Sequence, residues 1–487
     1  MSTLKRGGGA RPAGDRALTR RQAMRYAALA AGATGMAGLF SAAAPAEAAP
    51  VRGSGVVTVV WNPISSYWAF PTNTIIQLIN ENVVPAFERQ NRGIRLKSAG
   101  PMINTSTTTS GILAGTAPDV FNDNTVAPYV EGHLALNLSP YMQQDNVNPN
   151  LFATSQIAKY TSNGGIYMLP SYIGTTVLVV NLGILGQLGL TPPPPGATYL
   201  EWTNLFRSAA GKVKGQQRYG TSIFNGINPF YFHGFGSSVV SETNPTQAGF
   251  NNPAGLAAVE WMMNLIWDNV ATFNGGGQTN TERLFGQGLT VAPVCWIQML
   301  PHWVPILEGM NWDFYQMPLW PKQPATFANT DFWAISASTK VPEAAWQLLK
   351  FITTGGQYSS LLMHTALFPP NLKSLWPEWV ATVQNVAPPL RGKNVQAFAE
   401  YVLTDHAYPG RDFTYSSGQA HSIFGTYMGK IQAKQVDPTL GLQQAAQQIA
   451  AFESQAKQLQ AVQSVLQRQD AALSLSLFPR PVITIRP

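Results

Sequence analysis

Clusters of aromatic and polar side chains stand directly after several predicted strands of this 487-residue chain. The candidate ligand-binding residues are Ser66, Tyr67, Trp68, Asn122, Asp123, Tyr172, Tyr231, Trp296, Asp331 and Trp333. Aromatic rings can pack on the C–H faces of a sugar ring, while carboxylate and amide groups can bind its hydroxyl groups. A site built to hydrogen-bond a hydroxyl also discriminates against ligands that lack it. This combination predicts the binding of a carbohydrate.

The charge of these clusters indicates a neutral ligand. Their only acidic residues are Asp123 and Asp331, and none of them contains a Lys or Arg. A phosphorylated ligand would require basic side chains, and a polyamine would require several carboxylates. Within the class of binding proteins, the alternative is a non-sugar polar solute.

Motifs for catalysis and for metal binding are missing from the sequence. Glycoside hydrolysis needs two carboxylates across the scissile bond, and no glycosidase motif, His-Glu-x-x-His motif or Gly-x-Ser-x-Gly elbow occurs. The Asp-x-Asn at Asp123 lacks the other oxygen ligands of a calcium loop. Cys295 is the only cysteine, which excludes an intramolecular disulfide and predicts a buried thiol. We therefore expect a binding protein with no metal and no cofactor; a secreted carbohydrate-active enzyme is the alternative from another class.

The N-terminal residues have the features of an export signal. Arg20 and Arg21 form a twin-arginine pair, a weakly apolar stretch follows over residues 26–44, and residues 46–48 read Ala-Glu-Ala. Gly, Ser and Thr residues interrupt the apolar stretch, which disfavours a membrane anchor. The pattern predicts a twin-arginine signal peptide over residues 1–48 and a periplasmic or secreted protein. No cysteine near the cleavage site could carry a lipid, so we expect no direct membrane anchor.

The net charge belongs mainly to this leader. The whole chain carries +7, and residues 1–48 hold seven basic and two acidic residues, so they account for +5 of it. A mature chain of about +2 has no basic patch of the kind that binds nucleic acid. We expect no nucleic-acid partner.

Strand and helix patterns alternate along the mature chain. Strands are predicted at Val56–Trp61, Ile94–Leu96, Asp119–Phe121 and Thr175–Val180, and helices at Asn73–Glu88, from Tyr199, and at 253–269, 341–353 and 394–404. This alternation predicts an α/β fold with parallel sheets and helical crossovers. A Gln- and Ala-rich helix over Thr439–Gln467 has an apolar stripe, which predicts packing against a lobe, with a coiled-coil contact as the alternative. The segment from Ala471 to Pro487 is expected to be irregular or extended.

Several sequence motifs occur in an order that is typical of one family. They are Gly115–Val120 (GTAPDV), Leu136–Tyr141 (LNLSPY), Gly165–Tyr172 (GIYMLPSY), Gly189–Pro193 (GLTPP), Phe332–Ser338 (FWAISAS) and Pro342–Ile352 (PEAAWQLLKFI). On these motifs the chain resembles extracellular solute-binding protein family 1, the sugar-type ABC transporter binding proteins that include maltose-binding protein. It departs from the family where Phe285-Gly286 is not followed by the usual Ala-Met pair, and over residues 376–429 and past Gln460.

The resemblance implies a periplasmic binding protein-like fold of type II. Two hinge-linked lobes, each a sheet flanked by helices, would comprise residues 51–173 plus 325–370 and residues 174–324 plus 371–465, with a tail over 466–487. The ligand would bind in the cleft between them, and hinge bending would occur near residues 171–175 and 325–332. The resemblance also implies that a monomer delivers its ligand to the permease of an ABC importer.

Overall fold

The computed structural model describes residues 55–64, 72–100, 105–223, 229–273, 278–328, 331–415 and 417–477. The predicted signal peptide and the candidate residues Ser66, Tyr67 and Trp68 lie outside these ranges. Within them, no helix is both long and apolar enough to cross a membrane.

The described residues form an α/β fold. The strands are β1 (Val57–Trp61), β2 (Ile94–Ser98), β3 (Val120–Asp123), β4 (Thr161–Ser162), β5 (Gly165–Ile166), β6 (Leu169–Pro170), β7 (Thr176–Asn181), β8 (Gly211–Val213), β9 (Gln216–Ile223), β10 (Ala271–Phe273), β11 (Thr290–Ala292), β12 (Val294–Trp296), β13 (Trp312–Tyr315), β14 (Thr326–Phe327), β15 (Phe332–Ile335) and β16 (Ala407–Tyr408).

Helices connect and cover these strands. They are α1 (Thr72–Gln90), α2 (Thr105–Ala114), α3 (Ala127–Glu131), α4 (Ser139–Gln144), α5 (Thr154–Lys159), α6 (Leu182–Gln187), α7 (Tyr199–Ala209), α8 (Pro229–Phe235), α9 (Pro253–Trp267), α10 (Gln278–Gly286), α11 (Leu300–Leu307), α12 (Pro342–Thr354), α13 (Gln357–Ala366), α14 (Trp376–Val386), α15 (Gln396–Leu403), α16 (Ser417–Gln432) and α17 (Pro438–Leu477). Short 3₁₀ turns lie at Pro149–Leu151, Ile297–Met299, Lys373–Leu375 and Pro388–Leu390.

The first lobe contains a five-stranded sheet in the order β2-β1-β3-β15-β6. Strands β1, β2 and β3 are parallel, and β15 enters antiparallel beside β3 after a sequence separation of about two hundred residues. The register places Trp333 opposite Asn122 and Phe332 opposite Asp123. The carboxyl end of β3 therefore lies beside the start of the returning strand, which brings polar residues from distant parts of the chain together.

The second lobe is built around β7 and β9. Strands β10 and β11 pair parallel with β9, and β12 and β13 pair antiparallel with β7. The Val179 amide donates to the Pro293 carbonyl at 3.0 Å, which links β7 to the segment between β11 and β12. Every residue of β7 is buried, as the apolar run Val177–Val180 predicts for a strand covered on both faces. Cys295 is a buried free thiol, as predicted.

Local sequence signals mark several element ends. Thr198 and Glu201 form a reciprocal capping box at the start of α7, which satisfies amide groups that the first helical turn leaves without a hydrogen-bond partner.

In α17, Leu442, Ala445 and Ile449 are buried in the core of the second lobe, so the prediction that this helix packs against a lobe is confirmed. The prediction of an irregular tail from Ala471 is wrong up to Leu477, because the helix continues to that residue. Residues 478–487 lie outside the residues that the structure describes.

The chain passes between the two sheets at defined places. It leaves the first sheet after Pro170 and enters the second at Thr176, and it returns between Tyr315 and Phe332. After α13 it passes again toward the second lobe, where the Trp376 ring packs in one core with residues of β7. The fold is the two-lobed α/β architecture that was predicted.

Candidate functional site

A cavity of about 190 Å³ lies between the two lobes. One wall comes from the first lobe and consists of residues after β3 and around the end of α5, namely Val126, Ala127, Val130, Glu131, Ala158, Lys159, Thr161 and Ser162. The other wall consists of Pro245, Arg411, Asp412 and Thr414. A concave site with polar groups from both lobes, near the carboxyl end of a parallel strand, is the usual place for a ligand in such folds.

Asp412 reaches across this cavity to the first lobe. Its Oδ2 accepts a hydrogen bond from the Val126 backbone amide at 3.1 Å and lies 3.9 Å from the Lys159 Nζ. Only 18% of the Asp412 side chain and 15% of the Lys159 side chain are exposed to solvent. The cavity is therefore bounded by an ion pair whose two members come from different lobes and are largely shielded from water.

A second charged group supports the wall beside Asp412. The Arg411 guanidinium donates to the Glu242 carbonyl at 2.6 Å and lies 3.4 Å from the Glu242 carboxylate. The Tyr408 hydroxyl donates to Glu242 Oε1 at 2.5 Å, and the Tyr408 ring stacks on His233 at 3.8 Å. Burial lowers the pKa of His233, which keeps its imidazole neutral at ordinary pH. These contacts leave Arg411 neutralised by Glu242.

The predicted pair Asn122 and Asp123 is fully buried at the end of β3. Asp123 Oδ1 accepts from the Thr105 hydroxyl at 2.9 Å and from the Asn124 and Thr125 amides, and Oδ2 accepts from the Tyr129 hydroxyl. Burial raises the pKa of Asp123, while these hydrogen bonds act in the opposite direction. In this structure the Asp123 carboxylate organises the turn after β3, and its oxygens are already engaged by protein donors.

Tyr172 and Asp331 meet where two passages between the lobes lie together. The Tyr172 hydroxyl donates to Asp331 Oδ1 at 3.2 Å, and the Ser171 amide donates to the Asp331 carbonyl at 2.9 Å. Both side chains are 2% exposed. These two candidates are 159 residues apart in the sequence, and the fold places them in one hydrogen-bonded group beside the passages between the lobes.

The predicted aromatic contacts divide into two kinds. Trp333 is fully buried, with its ring 5.9 Å from Trp61 and 5.7 Å from Tyr358. Tyr231 is also buried, among rings of the second-lobe core. In this structure core side chains cover both rings, and neither presents a face on which a sugar could stack. Trp296 is partly exposed, with its ring 6.2 Å from Phe327, and direct ligand contact by Trp296 stays a prediction.

Lys159 and Asp412 were missed by the sequence analysis. Lys159 ends a six-residue helix, and Asp412 lies in the stretch that matched the family motifs poorly. Neither follows a strongly apolar strand, the pattern that marks most of the predicted site residues. Lys159 and Asp412 reach the same cavity only because the two lobes lie beside each other in the folded protein. No group of His, Cys, Asp or Glu side chains in the described ranges is arranged to hold a metal ion.

Known structures share this architecture. The sugar-binding protein MalE from Xanthomonas citri superimposes with a TM-score of 0.68 at 15% identity, over 83% of this chain and 99% of that one. A cyclic alpha-maltosyl-1,6-maltose binding protein from Arthrobacter globiformis gives 0.66 at 16% identity, over 83% and 99%. An ABC substrate-binding protein from Listeria monocytogenes, in complex with cycloalternan, gives 0.64 at 16% identity, over 82% and 99%. At such identities the likeness shows the fold.

Sequence comparison shows the family. No match was found among curated protein sequences. Residues 82–388, well over half of the chain, match the family model of the bacterial extracellular solute-binding protein. The order of motifs, the two-lobed α/β fold and this match agree, and the chain belongs to the family of bacterial extracellular solute-binding proteins.

Proposed function

We propose that this chain is the extracytoplasmic binding component of an ABC importer and that it carries a neutral carbohydrate to the permease. The observation that carries the proposal is the polar cavity between the lobes, in a chain that belongs to a solute-binding family. The similar structure from Xanthomonas citri is described as a sugar-binding protein, and that from Arthrobacter globiformis as a cyclic alpha-maltosyl-1,6-maltose binding protein. The one from Listeria monocytogenes is in complex with cycloalternan. This likeness supports a carbohydrate ligand.

The charges around the cavity support a neutral ligand. Its lining includes two basic residues, Lys159 and Arg411, and two acidic residues, Glu131 and Asp412. Lys159 faces Asp412, and Arg411 is paired with Glu242 outside the lining. A phosphorylated or polyanionic ligand would meet carboxylates in this cavity, and a polyamine would meet cations. A hydroxyl-rich neutral molecule can hydrogen-bond to both kinds of group.

Ligand capture would work by closure of the lobes about the passages between them. We assign the first lobe to residues 51–173 plus 325–370 and the second to 174–324 plus 371–465, with bending near residues 171–175 and 325–332. Asn371, in the third passage, donates to the Pro170 carbonyl at 3.1 Å, which ties it to the first passage. A ligand that contacts both lobes only in the closed form shifts the population toward that form. The permease would then recognise the closed form.

We also propose how the protein is exported and in which compartment it acts. Residues 1–48 serve as a twin-arginine signal, and the mature protein acts in the periplasm or outside the cell. It functions as a monomer without a cofactor and is not an enzyme. The predicted ligand contacts through Ser66, Tyr67, Trp68 and Trp296 belong to this proposal, in which the three aromatic residues add ring surface to the cleft.

A ligand screen tests the proposed function. The mature protein is heated with a library of monosaccharides, sugar alcohols and oligosaccharides, with sugar phosphates and polyamines as comparison ligands. A compound that binds only the folded state raises the melting temperature, and calorimetry then gives its affinity. We expect neutral sugars to give the largest shifts. A shift with only phosphorylated or cationic compounds would contradict a neutral carbohydrate ligand, and release of new sugar products on incubation would identify an enzyme.

A further inference from the structure

Two ion pairs in this protein have the same chemical partners and different geometry. Lys350 Nζ lies 2.6 Å from Asp145 Oδ2, and the same oxygen accepts from the Trp346 indole at 2.8 Å. Lys159 Nζ lies 3.9 Å from Asp412 Oδ2, a distance at which no hydrogen bond forms. The first pair is a closed hydrogen-bonded group, and the second leaves a gap between donor and acceptor.

Hydrogen-bonding capacity remains unused on both sides of this gap. Within the described ranges, the Lys159 ammonium donates to no protein acceptor, although only 15% of its side chain is exposed. Asp412 Oδ2 accepts from the Val126 amide, and among the same residues no protein donor binds Asp412 Oδ1. An ammonium group has three donors and a carboxylate has about four acceptor sites. A largely buried lysine without a hydrogen bond, at the edge of a cavity, indicates that a ligand supplies the acceptor.

The cavity is small, and hydrogen bonds dominate its chemistry. Its volume of about 190 Å³ lies below the range of about 300–1,000 Å³ that is typical of sites for drug-sized ligands. No described residue that lines it is aromatic, whereas the hydroxyl-bearing residues Ser162 and Thr414 stand on opposite walls. Among the described residues, no side chain that lines the cavity could stack on the rings of a long, flat oligosaccharide. A single sugar ring or a sugar alcohol fits both the size and the polar lining.

We propose that Lys159 and Asp412 bind two neighbouring hydroxyl groups of a monosaccharide or sugar alcohol, with Lys159 donating to one and Asp412 Oδ1 accepting from the other. This inference rests on the proposed function and specifies its ligand and its specificity residues. The diol lies in the gap between the two charged groups. The ammonium and the carboxylate then both make hydrogen bonds to it and do not have to approach each other. Because one residue belongs to each wall of the cavity, the same diol holds the two walls to each other.

The experiment begins with the wild-type mature protein and a panel of monosaccharides, sugar alcohols and maltooligosaccharides, measured by calorimetry. The best ligand is then tested with Lys159→Gln and Asp412→Asn. The Asn amide oxygen can still accept from the Val126 amide, so the second variant preserves that contact. Lys350→Gln and Asp145→Asn are the matched controls, since they change an ion pair that does not line the cavity.

Deoxy analogues of the best ligand identify the hydroxyls. Removal of either hydroxyl that contacts the pair should weaken binding to wild type by about tenfold or more, because it leaves a shielded charged group unpaired. The Asp412→Asn variant should bind the deoxy analogue that lacks the hydroxyl contacted by Asp412 almost as well as it binds the parent sugar. Each cavity variant should weaken binding of the parent sugar by about tenfold or more, and each control by about twofold or less. Melting temperatures without ligand show that the variants are folded.

The outcomes separate the two levels of the proposal. If no carbohydrate binds to wild type, the proposed function itself fails. If a sugar binds and both cavity variants retain its affinity, or if only long oligosaccharides bind, the proposed function stands and this inference is overturned. Tighter binding of an anion such as inorganic phosphate by Asp412→Asn, with a strong loss in high salt, would also overturn it, because Lys159 would then be an anion site.

Discussion

Thr176 and Thr326 are joined by a closed set of hydrogen bonds where two passages of the chain between the lobes lie side by side. The Thr326 hydroxyl donates to the Thr176 carbonyl at 2.7 Å and accepts from the Thr176 amide at 3.1 Å. The two hydroxyls are 2.8 Å apart, and both side chains are fully buried. The first residue of β7 and the first residue of β14 are thereby fixed to each other. In the proposed closure of the lobes, bending occurs around this link.

Replacement of Thr326 by Val tests how much this link stabilises the protein. Val keeps the shape of the side chain and removes the hydroxyl, so the buried Thr176 amide and hydroxyl lose partners. We expect the free energy of unfolding to fall by about 1–3 kcal/mol, as for a buried polar group that is left unsatisfied. Urea denaturation measures the change.

Thr426→Val is the matched control, because the Thr426 hydroxyl is exposed and donates to the Ser422 carbonyl of its own helix. It should change the free energy of unfolding by less than about 0.5 kcal/mol. Equal losses in the two variants would show that the link between Thr176 and Thr326 has no special role in stability.

Trp333 and Trp296 should respond differently to replacement by Ala. Trp333 is fully buried between Trp61 and Tyr358, so Trp333→Ala should lower the free energy of unfolding by about 3–5 kcal/mol. Trp296 is partly exposed, and Trp296→Ala should cost less stability while weakening sugar binding by about 1–3 kcal/mol if its ring is a ligand anchor. Denaturation and calorimetry on the same two variants measure both effects. Intact affinity in Trp296→Ala together with a large loss of stability would assign this ring to the core.

His233 should make stability depend on pH in mildly acid solution. Burial lowers the pKa of His233 in the folded protein below its ordinary value of 6.5. The unfolded chain therefore takes up a proton first as the pH falls, which favours unfolding. The contribution of neutral His233 is present above about pH 6.5 and is lost as the pH falls through and below that value.

The His233→Gln variant isolates this contribution. Gln cannot titrate, so the difference in unfolding free energy between wild type and variant should change between pH 7 and pH 5, with wild type losing more. The measurement is denaturation at a series of pH values at constant ionic strength. Parallel pH profiles for the two proteins would show that His233 is not the group responsible.

Export should depend on Arg20 and Arg21. Replacement of both by Lys keeps the positive charge and removes the guanidinium groups of the predicted twin-arginine signal. We expect the unprocessed precursor to accumulate in the cytoplasm, as measured by fractionation and immunoblotting. A change of Arg6 and Arg11 to Lys is the control within the same leader. Normal processing and export of the Arg20, Arg21 double variant would rule out the twin-arginine route.

The parts of the fold that the sequence predicted depend on local interactions. The apolar run of β7 and the helical spacing in α1 are encoded within a few residues, and the structure places both elements within two residues of the predicted bounds. The capping box of Thr198 and Glu201 lies three residues apart and sets the start of α7. Strands and helices could therefore be predicted from the sequence, because they depend on burial patterns and hydrogen bonds between near neighbours. The family could be predicted because its motifs are also local.

The site depends on contacts that no local pattern contains. Asp123 lies at the end of a strand, as predicted, but donors from residues 105, 124, 125 and 129 occupy its oxygens, and only the packed structure reveals that competition. Lys159 and Asp412 carry no signal of their own in the sequence, where 252 positions separate them. Their charges lie 3.9 Å apart because the two lobes face each other across the cavity. The sequence determined what each lobe is made of, and the tertiary structure decided which side chains meet between the lobes, because burial and unused hydrogen-bonding capacity arise only when distant segments pack together.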